Sequence, residues 1–438
     1  MKQFVPQKPP EQRRHRIKPL SFSRSELYMA IIFGCLLLST VLPQIVTGVI
    51  VLLVSVLLIR KNELYLVYPA MLFYYESLGQ LMGMSVYRYF SLIFLGYELL
   101  GQKRIRWRRS HWLLLGIYTA YAICVILPVN TRKAAFFLVD IICMLMLTEH
   151  HLSKPGKRRR FFTVFALTAL CSFVTGVLMA NTTGHAARIN GQYVVMARNN
   201  ATFEDPNYMG FFFTTAVFAT VTLKLFSPRL RVLIVCALYI MMFTTLSMTM
   251  IVVNVLLWLA YLFLAKKVGL KVLVCIGIVI AILVGAYTYG LLNPDTPVLG
   301  MLSYRISDKL MQAEAGDINA LTTNRTGLTM QHLDYFWNQS FFRMLVGMNA
   351  ASPVHFNLEG IRGIAHNEYV DLLLNVGIIG AVIFISYIAQ NFVKARRQRN
   401  RLGQDNTMFL YMVKLIWVLY AMTLTFFGDH RFMLLLFL

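Results

Sequence analysis

What most constrains this chain is a succession of apolar runs. From Leu27 to the C-terminus they recur at lengths of about 18 residues or more, enough for a helix to cross about 30 Å of hydrocarbon. A soluble protein of this length would break such runs with turn residues and make its helices amphipathic. Composition agrees. Hydrophobic residues make up 58% and charged residues 14%, with a mean hydropathy of +0.60, against about 45–50% and 25% in soluble domains. The expectation is an all-α polytopic membrane protein with about 12–14 transmembrane helices and a large, partly helical extracytoplasmic loop.

Candidate spans fall near 27–43, 44–60, 63–84, 86–101, 111–128, 132–149, 160–180, 207–226, 229–248, 249–265, 269–291, 365–392 and 406–427, and 433–438 reads as a short apolar end. With the N-terminus in the cytoplasm, the chain divides into a basic cytoplasmic tail (1–25), a bundle (26–291) carrying an extracytoplasmic loop at 181–206, a large extracytoplasmic loop (292–364) and a closing bundle (365–438). Every loop this places inside is basic: Arg60-Lys61, Lys103 to Arg109, Lys154 to Arg160, Lys224 to Arg231, Lys266 to Lys271 and Lys394 to Arg401. Loop 292–364 mixes both signs, so the positive-inside rule is met throughout. The tail is a poor signal peptide, because Ser39-Thr40-Val41-Leu42-Pro43 offers no small-residue cleavage site.

The net charge of +23 is therefore read as topological. Nucleic acid is not an expected partner, since no continuous basic face with interleaved aromatics is present. All six cysteines lie inside apolar runs, which suggests no disulfide framework and no metal cluster. No cofactor motif stands out: there is no glycine-rich loop after a strand, no metal-type His/Glu pairing and no Gly-x-Ser-x-Gly.

What remains for chemistry is a small set of polar residues at the outer ends of spans. In the stretch from Arg198 to Gly210, Asp205-Pro206-Asn207 reads as a helix start, with Arg198, Glu204 and Asp205 beside it. A guanidinium near a helix N-terminus suits an anion. Arg325 sits in the large loop, ahead of a helical pattern from Thr326 to Trp337 that puts Leu333 and Phe336 on one side and has Thr323 or Asn324 as cap candidates. His366-Asn367-Glu368 opens the next span, and Glu368, Asp371 and Asn375 follow at helical spacing, as expected of residues facing a bundle interior. Gly377 and Gly380 in that span allow close helix approach. Glu76, Asp140 and Lys414 are isolated charges in apolar runs, and each needs a partner or a cavity. They keep proton-coupled transport open as a reading.

Taken in order, these stretches resemble the O-antigen ligase and Wzy-type polysaccharide polymerase family of bacterial envelope glycosyltransferases. The resemblance rests on Arg198 followed by Thr202 to Asn207, on Arg325 followed by a helix and the Leu345-Val346-Gly347 turn, and on His366-Asn367 with Gly377 and Gly380 beyond. It covers roughly 198–385. The family often carries Ser-Arg where this chain has Leu246-Ser247-Met248-Thr249, and a second glycine where it has Met348; Arg305, Arg188 or Arg431 would have to supply the missing cation.

The resemblance implies a metal-independent transferase of the bacterial cytoplasmic membrane with an extracytoplasmic active site. Its donor would be an undecaprenyl-pyrophosphate-linked glycan and its acceptor a glycan. Arg198 and Arg325 would stabilise the departing diphosphate, and His366 would act on the acceptor hydroxyl. Glu204, Asp205, Asn207, Asn367, Glu368 and Asp371 would bind substrate. A polymerase joining repeat units is expected ahead of a ligase moving finished glycan to a lipid or protein, and a lipid-linked glycan transporter stands third. Membrane lipid, a flippase and a chain-length regulator are the partners this allows.

Overall fold

A computed structural model describes residues 24–101, 107–128, 130–189, 192–265, 284–285, 287–293, 296, 299–317, 319, 322, 325–347, 365–397, 399–424 and 429–438, with backbone alone for 184–196 and 401. The N-terminal tail up to residue 23, most of the span expected at 269–291, the caps Thr323 and Asn324, and Met348 lie outside the described residues.

Helices occupy the apolar runs. Four of them, Thr131–Leu152, Pro155–Leu178, Met248–Ala265 and Glu368–Arg397, are long and apolar enough to cross a membrane, and Gln44–Ile59 and Leu64–Phe73 are shorter apolar helices. Outward-facing side chains on these and neighbouring helices are apolar as well: Phe263 is 83% exposed and Ile240 68%. A water-soluble helix would turn a polar stripe outward at such positions. Inside, aromatic rings interlock, with Phe73 packed edge-on against Phe165 and Phe212.

Three expectations change. The run 63–84 is not one span: a 3₁₀ turn, Leu64–Val67, leads into the short helix Tyr68–Phe73, and a small hairpin pairs Gln80–Leu81 with Met84–Ser85. Ten helical residues reach only about 15 Å, so this fully buried segment ends inside the molecule. The segment 181–206 forms a second antiparallel hairpin, Thr182–Ile189 with Gln192–Asn199, so the chain is mainly rather than wholly helical. At the far end, His430–Phe437 is a short helix buried along its whole length.

That last helix answers the question of the lone charges. Glu76, Asp140 and Lys414 do not pair with one another. Arg431 Nη1 meets Glu76 Oε1 at 3.0 Å, His430 Nδ1 lies 3.6 Å from Asp140 Oδ2, and Lys414 Nζ donates to the carbonyls of Leu435, at 3.0 Å, and Leu436. A carbonyl oxygen satisfies an ammonium donor without cancelling its charge.

In the large loop, Leu299–Glu314, Arg325–Trp337 and Phe341–Val346 are helical. Phe336 is buried with Val370 and Leu374, with Leu333 packed beside them, which seats Arg325–Trp337 against Glu368–Arg397. The latter is interrupted at Gly377, whose φ of 66° and ψ of −173° leave the helical region. Gly347 caps Phe341–Val346 with φ 90° and sits on the break. A Cβ on Gly377 would come within 2.3 Å of the Leu345 carbonyl oxygen, and one on Gly347 within 2.4 Å of that of Asn375. The glycines allow backbone-to-backbone contact between the loop helix and the broken span.

Candidate functional site

Three separated stretches are pinned so that their polar residues face one space. The first is the turn after the hairpin. Thr202 Oγ1 donates to the Phe73 carbonyl at 2.6 Å, and Asn181 Nδ2 donates to the carbonyls of Ala201 and Phe203. Gly176 lies so close to the Ala201 backbone that a Cβ there would sit 2.3 Å from its carbonyl oxygen. Asp205 then caps the helix Pro206–Thr222, its Oδ1 accepting from Asn207 N at 2.6 Å. Arg198, on the last strand, is buried, and its Nε donates to the Thr245 carbonyl at 2.7 Å.

The second is the start of Met248–Ala265. Ser247 Oγ donates to Asn207 Oδ1 at 2.7 Å and accepts from Met250 N, tying this helix start to that of Pro206–Thr222. The third is the junction of the large loop with Glu368–Arg397. Arg325 Nη1 donates to the Thr423 carbonyl at 2.9 Å and to Thr249 Oγ1 at 3.4 Å. Asn367 Oδ1 accepts from Tyr369 N at 3.1 Å, capping the helix and leaving His366 in the left-handed region at φ 51°. Ala201 and Leu246, beside the other two stretches, have positive φ as well. For residues other than glycine such conformations cost on the order of 1–3 kcal/mol, and they concentrate where function fixes the backbone.

The result is a cavity of about 330 Å³ lined by Arg198, Asn207, Ser247, Thr249, Arg325, His366 and Asn367 together with Arg305 and Lys309. Arg305 and Lys309 are one helical turn apart on Leu299–Glu314; Lys309 was not singled out from sequence, and its i, i+4 spacing from Arg305 is the signal that could have done so. No carboxylate among the described residues lines the cavity. Among the described residues none of the three arginines is ion-paired, and Arg305 Nη1 is buried without a hydrogen-bond partner. The field is strongly positive. Burial and the neighbouring Arg305 draw the Arg198 guanidinium down to about 10. Burial and then Arg325 push the His366 imidazole down to about 4, so it is neutral at pH 7 with a lone pair free to accept a proton.

Of the residues singled out from sequence, Arg198, Asn207, Arg325, His366 and Asn367 meet in this cavity. The other four do not line it. Glu204 is exposed and neighbours Glu76, whose carboxyl is pushed up to about 8 by burial and by Glu204. Asp205 is spent as a helix cap, though its charge is felt by Arg198, Arg325 and His366. Glu368 and Asp371 share one face, but it is buried toward Tyr118 and Tyr121. Of the three substitute cations, Arg305 is in the cavity. Arg431 is not: it is held by Asp429 and Glu76 between the rings of Tyr75 and Tyr208. Arg188 lies in the strand Thr182–Ile189. The segment 246–249, where the resemblance asks for an arginine, does border the cavity through Ser247, Met248 and Thr249.

Among the described residues no group of three or more His, Cys, Asp or Glu side chains is gathered as a metal site requires. The chain matches no protein-family model and none of the curated proteins with which it was compared.

Proposed function

We propose that this chain is a polytopic membrane glycosyltransferase that joins glycan repeat units carried on a lipid diphosphate, with its active site on the outer face of the cytoplasmic membrane. The observation that carries the reading is the convergence of Arg198, Arg325 and His366, distant in sequence, on one cation-rich cavity lined by no carboxylate among the described residues. A diphosphate gains charge as its bond to the sugar breaks, and preorganised guanidiniums oppose that charge best where water is excluded.

The acceptor hydroxyl oxygen attacks the anomeric carbon of the donor sugar while its proton passes to the His366 imidazole. The bond from that carbon to the diphosphate oxygen breaks, and the lipid diphosphate leaves with the bonding electrons. Arg198 and Arg325 hold it, with Arg305 and Lys309 behind them. Anion binding also makes His366 a better base, because it offsets the Arg325 charge that holds the imidazole low.

Orientation follows from one helix. His366 and Asn367 precede the start of Glu368–Arg397, while Lys394, Arg396 and Arg397 crowd its last turn. The positive-inside rule puts that last turn in the cytoplasm and the cavity outside, consistent with about 12–14 crossings of the apolar runs.

Purified protein incubated with lipid-linked repeat units alone should yield a ladder of multiples. Product that appears only when a separate lipid or protein acceptor is added would replace polymerase by ligase. Transbilayer flux of lipid-linked glycan that survives loss of Arg325 and His366 would replace both by transport.

A further inference from the structure

A second cationic cavity, of about 460 Å³, lies at the opposite end of the same helices. The first cavity touches His366 and Asn367 ahead of Glu368–Arg397 and Met422 beyond Gln404–Ala421. The second is lined by Lys394 near the end of the former helix and by Lys414 within the latter. Most of the length of the interrupted helix Glu368–Arg397 lies between them.

Among the described residues, Arg108, Lys154, Arg158, Lys394 and Lys414 line this second cavity with one carboxylate side chain, Glu149. Glu149 is already engaged, its Oε1 lying 3.0 Å from Arg108 Nη2. The other four cations have no carboxylate within ion-pair distance among the described residues. Two of the four are buried, Arg158 at 4% and Lys414 at 3% exposure, and both are held by neutral oxygens. Arg158 Nε donates to the Leu152 carbonyl at 2.8 Å and its Nη1 to Asn406 Oδ1 at 3.2 Å. Lys414 donates to two carbonyls and lies 6.0 Å from the Tyr387 ring centre.

The positive-inside rule explains why cations collect at this end of the bundle. It does not explain why two are taken out of water without counter-charge, which costs several kcal/mol each unless an anion joins them. The remaining wall carries Thr148, Ser153 and Asn391 and an apolar part that includes Leu152, Leu410 and Phe437.

We infer that this cavity is a binding site for a phosphate ester, the phosphate taken by Lys154, Arg158, Lys394 and Lys414 and the ester substituent by the apolar part of the wall. This site is independent of the proposed transfer reaction and sits on the cytoplasmic side in the orientation derived above. A phosphate-bearing lipid headgroup and a soluble phosphate share the chemistry.

The test uses the full chain in neutral detergent, with Arg198→Gln and Arg325→Gln introduced to silence the first cavity. Thermal unfolding is followed while inorganic phosphate, short-chain phosphatidylglycerol or short-chain phosphatidylcholine is titrated. Saturable stabilisation by phosphatidylglycerol above that by inorganic phosphate assigns a lipid headgroup, and the reverse order assigns a soluble phosphate; either supports the site. Adding Lys154→Gln and Lys394→Gln, neither of which supports the fold through an ion pair, should weaken that binding about tenfold or more. Lys414→Met should do the same if it folds, and the lysine pair decides if it does not. Absence of saturable stabilisation by either anion, equal stabilisation by the choline lipid, or affinity unchanged in the lysine pair would overturn the proposal.

Discussion

Arg325 and Arg431 are both arginines withdrawn from water, and the molecule treats them in opposite ways. Around Arg431 the charge is met by the Asp429 carboxylate. Its Nε and Nη2 meet Asp429, its Nη1 meets Glu76, and aromatic faces of Tyr75 and Tyr208 lie to its sides. Around Arg325 the bonded oxygens are neutral, a carbonyl and a hydroxyl; further cations line the same cavity, and the Asp205 charge acts on it without an ion pair. A quenched guanidinium holds a fold together. One held by neutral oxygens, with no ion pair among the described residues, is open to an external anion in the proposed reading. What distinguishes the two arginines is their partners, Arg431 being buried and Arg325 half-buried.

The comparison breaks most visibly if the two arginines behave alike on substitution. Arg325→Ala, Arg198→Ala and His366→Ala should each lower glycosyl transfer by about 10²–10³-fold, the usual cost of removing one donor or base from a preorganised site. Their melting temperatures in detergent should stay close to that of the parent, because none of the three is ion-paired among the described residues. Arg431→Ala should do the reverse, losing about 1–3 kcal/mol of stability as the half-buried Asp429 and Glu76 are left without their cation. A destabilised Arg325→Ala protein, or a stable and inactive Arg431→Ala protein, would exchange the roles assigned to them.

A smaller effect probes how the cavity is held. Gly377→Ala must adopt φ 66° and place a methyl within 2.3 Å of the Leu345 carbonyl oxygen. The backbone strain alone is on the order of 1–3 kcal/mol, and the clash pushes Phe341–Val346 off the broken span. Gly83→Ala has a comparable positive φ, 74°, with open space around it, so it isolates the strain. A larger drop in melting temperature for Gly377→Ala than for Gly83→Ala is expected; equal drops would mean that the contact between loop and span contributes nothing.

How much of this was legible in the sequence depends on the kind of signal. Helices followed from apolar runs, and the arginines and histidine of the cavity followed from polar residues placed at the ends of those runs. Hydropathy could not show that 64–73 stops halfway, because a buried half-length segment and a full span are equally apolar. The hairpin had a local signal that the helical expectation overrode: Asn190-Gly191 stands between Thr182–Ile189 and the β-prone Tyr193-Val194-Val195. Glu368 and Asp371 were placed correctly on one helical face, yet spacing says which residues share a face and not where that face points. The quenching of Arg431 depends on Asp429, a neighbour in sequence, but also on Glu76, from the opposite end of the chain.

The gentlest test reads the field of the cavity through His366. Burial and Arg325 hold its imidazole near 4, below the ordinary value of 6.5. Between those two values the unfolded chain binds a proton that the folded chain refuses, so stability is full above about 6.5 and declines as pH falls toward 4. The acid limb of kcat/KM, which reports the free protein, should therefore lie near 4. The acid limb of kcat reports the complex, and should lie higher, because a bound diphosphate offsets Arg325. In Arg325→Gln the free-protein limb should move up toward the ordinary value, while Arg431→Lys, remote from the cavity, should leave it in place. Coincident limbs in the parent and in Arg325→Gln would mean that burial alone sets the imidazole, and that the positive field of the cavity ends short of His366.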